Sequence, residues 1–347
     1  MVIRRFLSLA GLLLCSITLT GCTSPKDRVV LFCAQDEEFA TAILSEFKSA
    51  KSLPVDVKFD TEATKSVSLI SELLAQKKHP RCDVHWNNEI LGTIRLQRAG
   101  VLEPYTSPSA APYPLDTHDA GHHWQAFAAR ARIIIVNKNL VPEAEYPRSL
   151  LDLALPKWKG KVAMAKPQFG TSATQAACLF EVLGLAKAKE YYRSLRTNEV
   201  QIVAGNKQVA EGVAGGQFVA GITDTDDAMA EIKDKKPIAI IFPDRDTLPS
   251  SRMGTLFIPN TVALIKGSPN SAGGKRLVDF LLRPEIEAKL ARGNSHQIPL
   301  NPNVKAELPS ELLTPSQAKP MQVDWEKAAD LWDPVQEFLR TEFARPQ

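Results

Sequence analysis

Apolar runs that give way at once to helical periodicity limit this chain to a narrow set of folds. Val29-Val30-Leu31-Phe32 reads as a strand buried on both faces. Directly after it, Phe39, Ile43, Leu44 and Phe47 fall on one helical face, with Asp36 at the N-cap position and Glu37 and Glu38 in the first turn. Val55, Val57 and Phe59 alternate as a second strand, Leu69 to Leu74 mark a second helix, and Cys82-Asp83-Val84-His85-Trp86 a third strand. Strand-helix alternation of this kind predicts α/β architecture with doubly wound sheets.

The alternation continues. Ile133 to Val136, Val162 to Met164, Val200 to Val203, Phe218 to Ile222, Ile238 to Phe242 and Pro259 to Ile265 read as strands. Gly170-Thr171-Ser172 opens a helix that runs through Phe180 and Leu183. Later helices cover Ala272 to Leu282, Pro284 to Ala291 and Trp325 through Phe343. Residues 106–120, with Pro108, Pro112 and Pro114, read as loop. Polar clusters close several strands: Gln35-Asp36, Asn87-Asn88-Glu89 and Asp224-Thr225-Asp226-Asp227. Ligands of open α/β sheets bind outside the carboxyl ends of the strands, so facing sheets would bring these clusters to one cleft.

The N-terminus has a separate pattern. Arg4 and Arg5 precede an apolar run from Phe6, and Leu19-Thr20-Gly21-Cys22 follows. This is the layout of a secretory signal, and its end resembles a bacterial lipobox. Residues 1–21 are read as signal peptide, Cys22 as the lipidated first residue of the exported chain, and 22–27 as an anchor linker. Buried acyl methylenes at about 0.8 kcal/mol each hold a domain on a membrane. Loss of 1–21 removes two arginines and no acids, which lowers the formal charge from +3 to +1. A near-neutral chain argues against a nucleic-acid partner.

The 326 residues from Cys22 onward exceed one ordinary core, so two lobes are expected. No C-x-x-C spacing indicates a redox pair or zinc knuckle. Cys33 and Cys82 each flank a strand-like run, and the sequence leaves open whether they join or act as small apolar residues. His118 and His122 have a spacing that suits two imidazoles on one helical face, but Gly121 and the nearby prolines predict a loop. The chain carries no G-x-S-x-G, H-E-x-x-H, Walker or G-x-G-x-x-G motif, which weighs against an enzyme.

Three stretches carry a broader resemblance: Ser149 to Leu153 leading to Trp158-Lys159-Gly160-Lys161-Val162, Asn206 to Phe218 running into the Asp-rich segment, and Pro259 to Leu264 followed by Lys275 to Leu282. In their order and spacing they resemble the two-lobed, type II periplasmic solute-binding proteins of the ferric-ion-binding group, over about residues 28–345. The resemblance implies a periplasmic or cell-surface binding component of an ABC importer, monomeric, with permease subunits as partners and no chemistry performed on the ligand. It implies lobe 1 from 28–131 plus 258–303 and lobe 2 from 132–257 plus 304–347, joined by crossing hinge strands. A ligand-sensing receptor subunit is the alternative on the same fold.

The iron proteins of that group hold the ion with a histidine, a glutamate and two adjacent tyrosines. Those positions fall here on Asp36, on Asn88 with Glu89 beside it, and on Asp226 and Asp227, so none of the four residue types is retained. Arg130 matches an arginine used toward a bound anion, and Thr171 and Ser172 match helix-start anion contacts. Carboxylates are hard oxygen ligands, so Asp36, Glu89, Asp226 and Asp227 suit a transported metal ion. By family, ferric iron or another metal ion is the first expectation; the alternatives are an amine, a polyamine, or the ammonium of an amino-phosphonate whose phosphonate meets Arg130 and the Thr171-Ser172 helix start. Thr225 belongs to the same candidate set, and no resident cofactor is implied.

Overall fold

A computed structural model describes residues 28–51, 53–61, 66–248 and 250–343. The lipobox, Cys22 and the linker 22–27 lie outside the described residues.

The chain opens with β1 (Val29–Cys33), α1 (Glu37–Lys51), β2 (Val55–Phe59), α2 (Val67–Ala75), β3 (Val84–Asn87), α3 (Leu91–Arg98) and the short β4 (Leu102–Glu103). The long β5 (Gln125–Asn137) follows. Then come β6 (Val162–Ala165), α4 (Gly170–Leu183), α5 (Leu185–Thr197), β7 (Gln201–Val203), α6 (Asn206–Ala214), β8 (Ala220–Asp224), α7 (Thr225–Lys233) and β9 (Ile238–Ile241). The last part is β10 (Phe257–Ile265), α8 (Ser271–Leu281), α9 (Pro284–Arg292), α10 (Trp325–Asp330) and α11 (Trp332–Phe343).

The strands form one mixed sheet in the order β2-β1-β3-β10-β5-β8-β6-β7, with β4 beside β10 and β9 beside β5. Two doubly wound halves meet at β5. Its residues Gln125 to Ala131 pair antiparallel with β10, whereas Arg132 to Asn137 pair with β8 and β9. One strand thus belongs to both halves, while β10 pairs with β3, β4 and the first part of β5. All thirteen β5 residues are buried. Its apolar residues feed different clusters: Phe127 packs on Trp86 (centroids 5.4 Å apart), and Ile134 and Val136 join the largest cluster, which runs from Leu69 to Leu179 and Trp332.

The crossing is not regular. The β5–β10 register slips between Pro259 and Asn260, leaving Ala128 bulged at φ +43°. The Ala128 N–H donates to Glu287 Oε1 on α9 at 2.5 Å, so a buried carboxylate replaces the missing ladder partner.

The structure corrects several element readings. β5 begins eight residues before the apolar Ile133 run, because Gln125 to Arg132 are buried despite two arginines. The C-terminal helix is two helices broken at Leu331. Of these, α10 lies between α3 and α4, and Arg98 on α3 bonds Glu326 and Asp330. The strand read over Phe218 to Ile222 runs from Ala220 to Asp224. Cys33 and Cys82 are not joined to each other, and both are buried, as is Cys178.

Candidate functional site

A buried strand holds a charge only when that charge is paired, and β5 carries two. Arg130 and Arg132 are two residues apart, so they project from the same strand face. The β5–β8 register sets Arg132 directly opposite Asp224. Arg132 Nη1 donates to Asp224 Oδ1 at 2.8 Å, to Asn206 Oδ1 at 2.9 Å and to Thr171 Oγ1 at 3.3 Å. Nε reaches Gln175 Oε1 at 3.1 Å and Nη2 reaches Ser172 Oγ at 3.3 Å. One guanidinium, 1% exposed, therefore ties together the starts of α4 and α6 and the end of β8.

Extended two residues further, the same register would place Asp226 opposite Arg130, although Asp226 already belongs to α7. Arg130 Nε lies 3.0 Å from Asp226 Oδ2. Its other nitrogens bond Gln35 Oε1 (2.6 Å), Asn260 Oδ1 (3.1 Å) and the Asn88 carbonyl (3.2 Å). Burial alone would depress the Arg130 pKa, but the nearby carboxylates of Asp226, Asp224, Asp36 and Asp227 outweigh it and raise the value.

These groups line a small cavity, about 20 Å³, between the two halves of the sheet. Six of the nine ligand residues proposed from sequence line it: Asp36, Asn88, Arg130, Thr171, Asp226 and Asp227. They come from different elements because each follows a strand end or opens a helix. Asp36 precedes α1, where its carbonyl accepts from the Phe39 and Ala40 N–H groups. Asp226 and Asp227 stand in the first turn of α7. Asn88 follows β3 and its Oδ1 accepts from the Ser66 hydroxyl at 2.5 Å. Beside the cavity a wider cleft opens between α1 and α6, where Glu38 and Lys207 stand 3.8 Å apart, both exposed.

Three proposed residues, Glu89, Ser172 and Thr225, lie outside the cavity wall. Glu89 is 1% exposed and outside the cavity wall. Its Oε1 accepts from Asn87 Nδ2 (2.9 Å) and the Gly92 N–H (2.8 Å), and its Oε2 from the Leu91 N–H (2.6 Å) and Thr174 Oγ1 (2.9 Å). It caps α3 and bridges to α4 in the other half. Burial nonetheless raises its pKa, with the four donors acting in the opposite direction. The Thr225 hydroxyl accepts the Ala131 N–H at 3.1 Å. The Ser172 hydroxyl faces Arg132 and Asn206.

The sequence reading left Arg132 and Asn206 out of the candidate set, and Asp224 too, although Asp224 stands in the acidic cluster that closes β8. The signal was available: two arginines spaced by two in an apolar strand, and a third acid ahead of Asp226. The proposed metal set changes accordingly. Among the described residues, Asp224, Asp226 and Asp227 bring three carboxylate oxygens within 4.8 Å of one another, without Glu89. The three histidines form a loop contact instead, the rings of His118 and His122 stacking at 4.7 Å and His123 Nδ1 sitting 2.8 Å from Asp119.

Comparison with known proteins agrees with this fold. A profile of a family described as bacterial extracellular solute-binding protein matches residues 94–330. The major ferric iron-binding protein of Neisseria meningitidis is 23% identical over 297 residues, covering 84% of this chain and 86% of that protein. The ferric binding protein from Campylobacter jejuni superposes with a TM-score of 0.80 at 22% identity, over 91% of this chain and 99% of its own. The periplasmic binding protein AfuA from Actinobacillus pleuropneumoniae, with exogenous fructose-6-phosphate bound, superposes with a TM-score of 0.79 at 21% identity, over 92% and 99%.

Proposed function

We propose that this chain, which belongs to the bacterial extracellular solute-binding proteins and so to a binding family rather than an enzyme family, is the solute-binding component of an ABC importer. It would hold a small cationic or zwitterionic solute in the cavity between its lobes and present the closed form to permease subunits. The observation that carries the reading is the meeting of Asp36, from the β1 side, with Asp226 and Asp227, from the β8 side, in one cavity wall. Closure on a wrong ligand would leave buried carboxylates uncompensated, which costs several kcal/mol, on the order of 3–5.

The same wall suits the anionic end of a zwitterion. α4 and α6 both begin there, after Phe169 and Gly205, and neither start has a side-chain cap. Helix starts of this kind favour anions. A metal ion is the second reading, favoured by the Asp224-Asp226-Asp227 cluster and by the ferric iron-binding relatives. The lobes would be 28–131 plus 258–303 and 132–257 plus 304–347, moving about β5 and β10. The protein would act as a monomer in the periplasm or at the cell surface, anchored through lipid on Cys22.

Native mass spectrometry of the untreated protein tests the reading, since a tightly held solute co-purifies. Thermal shifts with ferric citrate, manganese, putrescine and 2-aminoethylphosphonate then rank the ligand classes. The expected result is a raised Tm with at least one of them. Persistence of that shift in the Asp226→Ala/Asp227→Ala double variant would refute the site.

A further inference from the structure

We infer that the buried Arg132 is a specificity-determining residue: with Arg130 it offsets the aspartate cluster, so the cavity takes an organic solute bearing a single ammonium group in preference to a bare multivalent metal ion. The inference rests on the reading of this cavity as the solute site.

Three carboxylates within 4.8 Å would ordinarily attract a hard cation. Here the cluster is already engaged by donors. Asp224 Oδ1 accepts from Arg132, while its Oδ2 accepts from the Thr171 hydroxyl at 2.6 Å and Asn206 Nδ2 at 3.0 Å. Asp226 Oδ2 faces the Arg130 guanidinium, and its Oδ1 accepts the Asp227 N–H at 3.3 Å. A metal ion seated among these oxygens would displace those donors and lie beside two guanidinium groups. A metal ion needs several of these oxygens in its inner shell at once, whereas an ammonium group needs only hydrogen-bond acceptors and leaves those donors in place.

Charge balance points the same way. Asp36, Asp224, Asp226 and Asp227 face Arg130 and Lys166 on the cavity wall, with Arg132 immediately behind Asp224. These seven groups leave one formal negative charge, which one ammonium group neutralises. A zwitterion meets the same balance when its anionic end lies on the uncapped starts of α4 and α6. Arg132 is not part of the cavity wall, so replacing it changes the field without deleting a ligand contact.

The test measures, by isothermal calorimetry, the ratio of affinities for manganese and for 2-aminoethylphosphonate or ethanolamine, each of which bears one ammonium group. Wild type should favour the organic probe. R132Q, which exposes the Asp224 charge, should shift the ratio toward manganese by about tenfold or more. The double variant R132Q/D224N removes both charges and should return the ratio to the wild-type value. A merely structural role would disturb single and double variants alike. Should R132Q fail to fold, D224N alone leaves an extra guanidinium charge and should shift the ratio away from manganese by a similar factor. Tighter binding of manganese than of either organic probe by wild type, or equal ratios in all variants, would overturn the inference. If no probe bound wild type at all, the solute-cavity reading itself would fall.

Discussion

Arg132 and Asp224 stand directly across from one another in the β5–β8 ladder, and the guanidinium donates to the carboxylate at 2.8 Å with both side chains almost fully buried. Breaking a buried pair from one side leaves an uncompensated charge, which costs about 3–5 kcal/mol. Asp224→Ala should therefore destabilise the ligand-free protein by that amount in urea denaturation. Glu38→Gln should cost no more than about 1 kcal/mol, since Glu38 is exposed and its pairing with Lys207 is a surface one. Equal losses in the two variants would contradict the pairing.

Glu89 and Thr174 join the two halves of the protein on the far side of the same cavity. The Thr174 hydroxyl donates to Oε2 at 2.9 Å, and neither side chain reaches solvent. Thr174→Val keeps the shape and removes the donor. The expected loss is about 1 kcal/mol, together with a larger radius of gyration by small-angle scattering as the closed form loses population. Gly92→Ala should act on the same carboxylate, because a Cβ there would lie 2.4 Å from Glu89 Oε1. An unchanged scattering profile in both variants would show that this bond does not hold the halves together.

Much of this arrangement was legible from periodicity. The β1–α1–β2–α2–β3 alternation and the acidic strand ends appear in the sequence as they do in space, because apolar runs and helix-start acids are local signals. What was hidden depended on partners distant in sequence. Gln125 to Arg132 looks too polar for a core strand until Arg130 meets Asp226 and Arg132 meets Asp224, some 90 residues away. Glu89 was a candidate because the family's ligand position falls on Asn88 beside it, and only the fold shows Thr174 reaching it. α5 was a missed local signal: Ala188, Tyr191, Tyr192 and Leu195 are its buried stripe at helical spacing.

Glu89 also gives a pH prediction. Its folded pKa is raised by burial above its ordinary value of 4.5. A raised carboxyl contributes stability below the unfolded pKa, and that contribution is lost as pH rises through the folded value. Glu89→Gln mimics the protonated form but lacks an acceptor at one position. Its destabilisation relative to wild type should grow as the pH falls from 7 toward 4.5, measured by chemical denaturation at each pH. A penalty that shrinks on acidification would mean the carboxylate, and not the acid, is the favoured buried form.

The bulge in β5 allows the last prediction. Ala128 sits at φ +43°, a left-handed conformation that costs an L-residue about 1–2 kcal/mol, and its N–H is held by Glu287 rather than by β10. Glu287 also accepts the Leu300 N–H at 3.1 Å and the Asn301 N–H at 2.8 Å, so both of its oxygens are used. Glu287→Gln turns an amide NH₂ toward one of these donors and should cost about 1–3 kcal/mol. Ala128→Gly relieves the left-handed strain while adding unfolded-state entropy, and these terms offset to within about 1 kcal/mol. The same glycine substitution at Ala131, which is fully buried in regular strand, has no strain to relieve and should cost more. If Ala128→Gly proved the more damaging of the two, the left-handed bulge at the crossing would not be a feature of the folded protein.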